Sequence, residues 1–167
     1  TLEGQKRLKK ILPGADYTKK WDGNWYLVSF DIPEKLRGTR NILRAVLRRL
    51  GFGRVQKSVW ISPFNLLGDI EKTVDDLDIA SYVILSISDK VGREESRTLA
   101  GRIWHISAFQ KEYLEFIQKC KTGKMSRAQR FFGYHSIADR DPSLPKELLP
   151  RDWLGDEEKN LLNPKNP

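Results

Sequence analysis

The chain has a single cysteine, Cys120, among 167 residues. One thiol cannot close an internal disulfide, so no covalent staple holds the fold, and a reducing cytosol is the expected home. Histidine is almost as scarce: His105 and His135 stand far apart in sequence. With a lone cysteine beside them, no zinc-type ligand spacing exists, and no motif supports a cysteine or serine triad. Long apolar runs are missing too. Nothing approaches the roughly 18 residues that a membrane-spanning helix needs. The mean hydropathy of -0.56 agrees. No membrane partner and no signal peptide are expected, since the N-terminus is polar and basic. Internal repeats and low-complexity tracts are absent as well.

Positive charge is in excess. The net charge is +8 and the pI about 9.6. A surface of that sign favours an anionic partner, such as nucleic acid, a phosphorylated ligand or a membrane surface. The plain alternative is basicity for solubility. The length suits one domain, or a small domain with an appendage, and is enough to bury a real core.

Residues 1–12 read as a short basic helix, and 13–23 (PGADYTKKWDG) as a linker rich in turn formers. Residues 24–31 alternate as a strand, with Tyr26, Val28 and Phe30 on one face and Trp25, Leu27 and Ser29 on the other. Pro33 stops it. Residues 35–50 have helical spacing. Ile42, Leu43, Val46, Leu47 and Leu50 are expected to face inward, and Arg37, Arg40, Arg44 and Arg48 outward on the opposite face. Gly51 sits where a C-terminal cap belongs. GFGRVQKSVWISP gives two short strands or one bent strand. Residues 65–77 form a second helix with Leu66, Leu67, Ile70, Val74 and Leu77 inward. SYVILSIS, 81–88, is a β-branched strand. The order is βαββαβ, the split βαβ or ferredoxin-like plan, with both helices on one face of an antiparallel sheet. Helices follow at 94–105, 106–121 and 126–138. The proline-rich segment RDPSLPKELLPRDWLG keeps its leucines, so it is expected to be ordered and packed on a surface. The fold class is therefore α+β: a ferredoxin-like domain, then a helical C-terminal domain.

Three stretches carry a resemblance. WDGNWYLVSFDIPEKLRGTRNILRAVLRRLGFGRVQKSVWISP, with its WDG, FDIPE, LGFG and VWISP elements, resembles the central domain of the phenylacetic-acid catabolism repressor family, PaaX. ADRDPSLPKELLPRDWLG is similar to that family's C-terminal signature. TLEGQKRL resembles the tail of the winged-helix domain that precedes the central domain there. The resemblance spans nearly the whole chain. It implies a transcriptional regulator whose partners are DNA, a second copy in a homodimer, and a small-molecule effector such as an aromatic acyl-CoA. It also implies three segments: 1–23 as the tail of a missing winged-helix domain and linker, 24–90 as the ferredoxin-like domain, and 91–167 as the helical C-terminal domain. This chain would then supply dimerisation and effector sensing.

The middle segment, FDIPEKLRGTR with GFGRVQKSVW, is also similar to the small CRISPR adaptation nuclease-fold protein. In that family the strand-end acid, here Asp31, is the proposed metal ligand, and a symmetry-related copy would supply a second carboxylate. That resemblance implies an alternative: a metal-dependent nuclease using Mg or Mn, or a nucleic-acid scaffold. A regulator needs no cofactor. A third class is a structural remnant that binds a partner protein.

Each candidate site has a plain counterpart. Asp31 is either a metal ligand or an acid that accepts N–H bonds and shapes the strand-to-helix turn. Glu34 is its nearest acidic neighbour. Arg37, Arg40, Arg44 and Arg48 either track phosphates or form ion pairs with acids such as Glu71, Asp75 and Asp76. Trp60, Trp104 and Tyr113, with Phe109, Phe131 and Phe132, either line a pocket for an aromatic effector or form core. His135 and Asp139 stand four apart on a helix, which suits a metal or acid–base role or a surface hydrogen bond.

Overall fold

The computed structural model describes residues 20–123 and 125–156. The segment 1–12, and the linker up to residue 19, lie outside the described residues. The chain divides into two compact units, Trp21–Leu99 and a second from Ala100 onward.

The first unit is built on a four-stranded antiparallel sheet in the order β2-β3-β1-β4. The strands are β1 (Trp25–Phe30), β2 (Gly53–Gln56), β3 (Val59–Ser62) and β4 (Val83–Ser88). Helix α1 (Arg37–Arg49) follows β1, and α2 (Leu67–Asp76) follows β3. This is the βαββαβ plan. The glycine-rich stretch after α1 forms two strands, not one bent strand. β1 is central, in register with β4 from Trp25↔Ser88 to Phe30↔Val83 and with β3 from Tyr26↔Ser62 to Ser29↔Val59.

Alternation along β1 sets the core. Val28 and Phe30 point to the helix side and meet Leu43 and Leu47 of α1 and Ile70 and Val74 of α2. Ile32, Phe52, Trp60 and Ile79 close the cluster. On the other face Trp25 and Ile61 are fully buried as well. The Trp25 indole N–H donates to the Ser96 hydroxyl at 3.3 Å, so the chain after β4 returns over that end of the sheet.

Helix α1 departs from its expected facing. Ile42 is half exposed (51%), while Arg40 and Arg44 are partly buried. The buried arc centres on Leu43 and Leu47. At about 100° per residue, Arg40 and Arg44 fall within roughly 60° of Leu47, and Ile42 falls roughly 140° away. The arginines therefore flank the buried face instead of opposing it. The helix ends in a Schellman turn: Gly51 (φ +81) donates to the Arg48 carbonyl at 3.0 Å, and Phe52 to the Leu47 carbonyl at 3.0 Å. That geometry accounts for the LGFG element. Glycine takes the left-handed position, and Phe52 goes into the core.

The WDG element forms the entry turn to β1. Gly23 has φ +86. The Trp21 indole N–H donates to the Asn24 carbonyl at 2.8 Å, and the Asn24 N–H donates to Asp22 Oδ1 at 2.8 Å. The Tyr26 hydroxyl donates to Asp22 Oδ2. Trp21 and Trp25 rings stack tilted, 5.3 Å between centroids.

The second unit holds α4 (Ile106–Lys121) and α5 (Arg127–Ala138), preceded by α3 (Ser96–Ile103), in which the division between the units falls. α5 starts with a capping box: Gln129 N–H donates to the Ser126 hydroxyl, and Ser126 N–H to the Gln129 side chain. α4 and α5 approach closely where Gly133 meets the Phe116 ring. A Cβ at that position would lie 2.4 Å from a ring carbon. The proline-rich segment is ordered, and Leu144, Leu148, Leu149 and Trp153 are buried. Gln110 of α4 holds it, donating to the Asp152 carbonyl at 2.7 Å and accepting from the Leu154 N–H at 3.1 Å.

Two outcomes follow. Gly133→Ala is expected to destabilise the helical unit by about 1–3 kcal/mol through overpacking, read as a lower urea midpoint; an unchanged midpoint would show that Phe116 swings aside at no cost. The Asp22 carboxyl is held below its ordinary range, first by the Tyr26 hydroxyl and then by the Asn24 N–H. A lowered folded pKa gives stability that is present above the ordinary carboxylate value and lost as pH falls through the folded value. Asp22→Asn should therefore flatten the acid limb of a stability-versus-pH curve, and a variant with the wild-type slope below about pH 4 would exclude this role.

Candidate functional site

The site is built where β1 ends. The last residue of the strand and the one after it are held from both sides: the Phe30 N–H donates to the Ser58 carbonyl at 3.0 Å, and the Asp31 N–H to the Tyr82 carbonyl at 2.9 Å. Beside them opens a cavity of about 580 Å³, lined by Ser29, Asp31, Ser58, Ser81, Tyr82 and Ile84 among others. Ser29 and Ile84 are cross-strand partners on the sheet face turned away from α1 and α2. Three serine hydroxyls, one carboxylate and the Tyr82 side chain with its own hydroxyl thus share an open depression. The serines carry no sequence signal. Only the strand register, which brings positions 29, 58 and 81 to one end of the sheet, gathers them.

Asp31 is exposed, and its carboxylate accepts no hydrogen bond and forms no ion pair among the described residues. The turn is shaped by Arg40 instead. Its guanidinium donates to the Ile32 carbonyl at 3.1 Å and to Glu34 Oε2 at 2.7 Å, with the side chain only 19% exposed. Arg37 adds a looser contact to Glu34 at 3.8 Å, with both side chains mostly in solvent. The Arg40 bond, ahead of the other nearby arginines, pulls the Glu34 carboxyl below its ordinary range. Glu34 is thereby committed to α1 and gives Asp31 no second acid.

No cluster of three or more His, Cys, Asp or Glu side chains able to hold a metal occurs among the described residues. A divalent ion needs several oxygen ligands, and Mg in particular a near-octahedral set. One carboxylate with serine hydroxyls does not meet that need within a single chain.

The other arginines are also used by the domain itself. Arg44 donates to the Lys57 carbonyl at 3.2 Å and lies over the Phe30 ring at 5.7 Å. Arg48 lies over the Trp60 ring at 6.0 Å. None of the four reaches Glu71, Asp75 or Asp76 among the described residues. Arg37 and Arg48 are the two that stay exposed.

The aromatic candidates separate. Trp60 belongs to the core of the sheet unit. Tyr113 is fully buried in the helical unit, where its hydroxyl donates to Asp141 Oδ2 at 2.8 Å and its ring meets Trp153 edge-on at 5.5 Å. Asp141 also accepts the Ser143 N–H at 2.8 Å. The aspartate and tryptophan of the C-terminal signature thus fasten its segment to α4. Asp-Pro-Ser is the turn signal that betrays this in sequence. Trp104 is partly buried, whereas Phe131 and Phe132 are exposed rather than core. His135 Nδ1 lies 3.8 Å from Asp139 on the surface, an ion pair only when the ring is protonated.

A ferredoxin-like antiparallel sheet with an acid at the end of its first strand, followed by a helical unit tied together by a proline-rich tail, defines the class. Residues 18–100 match the family described as the PaaX protein central Cas2-like domain, and residues 104–165 the PaaX-like protein C-terminal domain. The chain belongs to the PaaX family. It is 26% identical over 160 residues to the transcriptional repressor PaaX of Escherichia coli (strain K12), covering 84% of this chain and 50% of that protein. It is also similar in structure to the uncharacterized protein Rv0674 from Mycobacterium tuberculosis, with a TM-score of 0.66 and 27% identity over 96% of this chain and 65% of that one. The chain thus spans about half the length of the repressor it matches.

Arg40→Ala is expected to lower stability by about 1–2 kcal/mol, because a charge-assisted bond to a carbonyl is lost. Arg37→Ala should change it by less than about 0.5 kcal/mol, as an exposed pair does. Equal urea midpoints for the two variants would refute the clamp.

Proposed function

We infer that this chain serves in transcriptional regulation, as the dimerising and effector-sensing part of a PaaX-family regulator with DNA as the regulated partner. The observation that carries this is the ordered match of both family domains along the chain, together with likeness to a protein named as a repressor. The charge of +8 supports an anionic partner. Phosphate contact from α1 falls to Arg37 and Arg48, since Arg40 and Arg44 are engaged with the domain's own carbonyls. Such contacts position a protein on DNA and do not read sequence. In this mechanism an acyl-CoA-like effector binds one geometry of the dimer more tightly. It thereby changes the spacing of the winged-helix domains that the family resemblance implies.

One observation favours a second reading, a metal-dependent nuclease: the Asp31 carboxylate is exposed and uncommitted. It requires a second acid from elsewhere. Incubation with duplex DNA at low salt, with Mg or Mn, decides between the two. The regulator predicts intact DNA with wild type and with Asp31→Ala alike. Cleavage by wild type that disappears in Asp31→Ala would establish the nuclease instead.

A further inference from the structure

The two edges of the sheet are defended differently. β2 is four residues long, carries Arg54 and Gln56, leads into Lys57, and shifts register between Arg54 and Gln56. Shortness, charge and a bulge are the devices that stop an edge from recruiting a foreign strand. β4 has none of them. Its six residues, VILSIS, hold no charge, no proline and no glycine, and they pair with β1 without a break in register. Ile84 and Ile87 are 67% and 58% exposed, and alternation puts them on opposite faces. Val83 N–H closes the preceding turn on the Ala80 carbonyl, and among the described residues the backbone of Ile84–Ser88 bonds only to β1.

We propose that the outer edge of β4 pairs antiparallel with β4 of a second copy, joining the two sheets into one. This rests on the inference that the chain works as a dimer, and it names the surface. A second copy is the occupant for three reasons. A two-fold axis perpendicular to the sheet makes a strand and its copy antiparallel by construction, which continues the alternation of the existing sheet. A second copy always presents the same undefended edge. Finally, two chains of charge +8 can meet along a strand that carries no charge, with no like charges opposed across the ladder.

The geometry has a consequence for Asp31. Its N–H is bonded to Tyr82, so it lies beyond the start of β4 and one strand inward. With a rise of about 3.3 Å per residue and strands about 4.8 Å apart, a two-fold axis near Leu85 and Ser86 leaves the two Asp31 residues roughly 28 Å apart. At that separation they cannot share one metal ion. The pairing therefore differs from an arrangement in which two strand-end acids meet at the axis.

The test uses the full chain in sedimentation equilibrium, comparing wild type with Ile84→Lys, Ile87→Lys and, on the other edge, Gln56→Lys. Both isoleucines are exposed, so folding should survive, and circular dichroism with the thermal midpoint checks it. The expected result is a wild-type dimer, dimer affinity at least about tenfold weaker in the β4 variants, because each brings a charge and its symmetry mate to the joined edge, and no change with Gln56→Lys. A monomeric wild type at all concentrations overturns both the dimer and this surface. A dimer untouched by the β4 lysines overturns the surface alone. Spin labels at Asp31→Cys, with buried Cys120 replaced by alanine, give a reading independent of folding in the lysine variants. A separation near 28 Å, plus the label arms, supports β4 pairing. One below about 10 Å overturns it in favour of acids that meet.

Discussion

The central place of β1 is the constraint on which the sheet unit depends. It is bonded on both sides, to β4 along its full length and to β3 from Tyr26 to Ser29. Its alternation sends Val28 and Phe30 into the helix-side core, and the same alternation sends Trp25 to the opposite face. Both ends are fastened by their own devices. The Asp22 turn admits the chain, and the Ser58 and Tyr82 carbonyls hold it where it leaves. The Asp31 depression sits at the exit, and its geometry is inherited from this strand.

Much of this was legible in the residues. Alternation in WYLVSF, the spacing of Leu43 and Leu47, and the glycine after α1 gave the βαββαβ order directly, because period and cap signals are local. The facing of the arginines was harder. A shift of about 100° in helix phase decides whether Arg40 faces solvent or clamps the turn. Only the position of Leu47 against the sheet settles the phase. The cavity at Asp31 was not legible at all beyond the acid itself. Its serines come from three separate segments, and strand register alone assembles them.

Signature residues of such a chain invite a functional interpretation, yet many serve as fasteners. Asp22 and Gly23 form a turn, Gly51 a helix stop, Arg40 and Glu34 a clamp, and Asp141 with Trp153 a tie between tail and helix. The arginine row illustrates the distinction best. Carbonyl bonding holds two of its members, Arg40 and Arg44, to the domain's own surface, so the basic character of α1 exceeds what it can offer to a phosphate.

Asp31 is the opposite case. Its backbone is anchored by the Tyr82 carbonyl, while its carboxylate anchors nothing among the described residues. Placement and chemistry are decoupled at this one position. A lineage can exchange the side chain there, or recruit it, without first having to rebuild the strand that displays it. A scaffold with such a position can move between catalysis, ligand contact and plain surface by single substitutions.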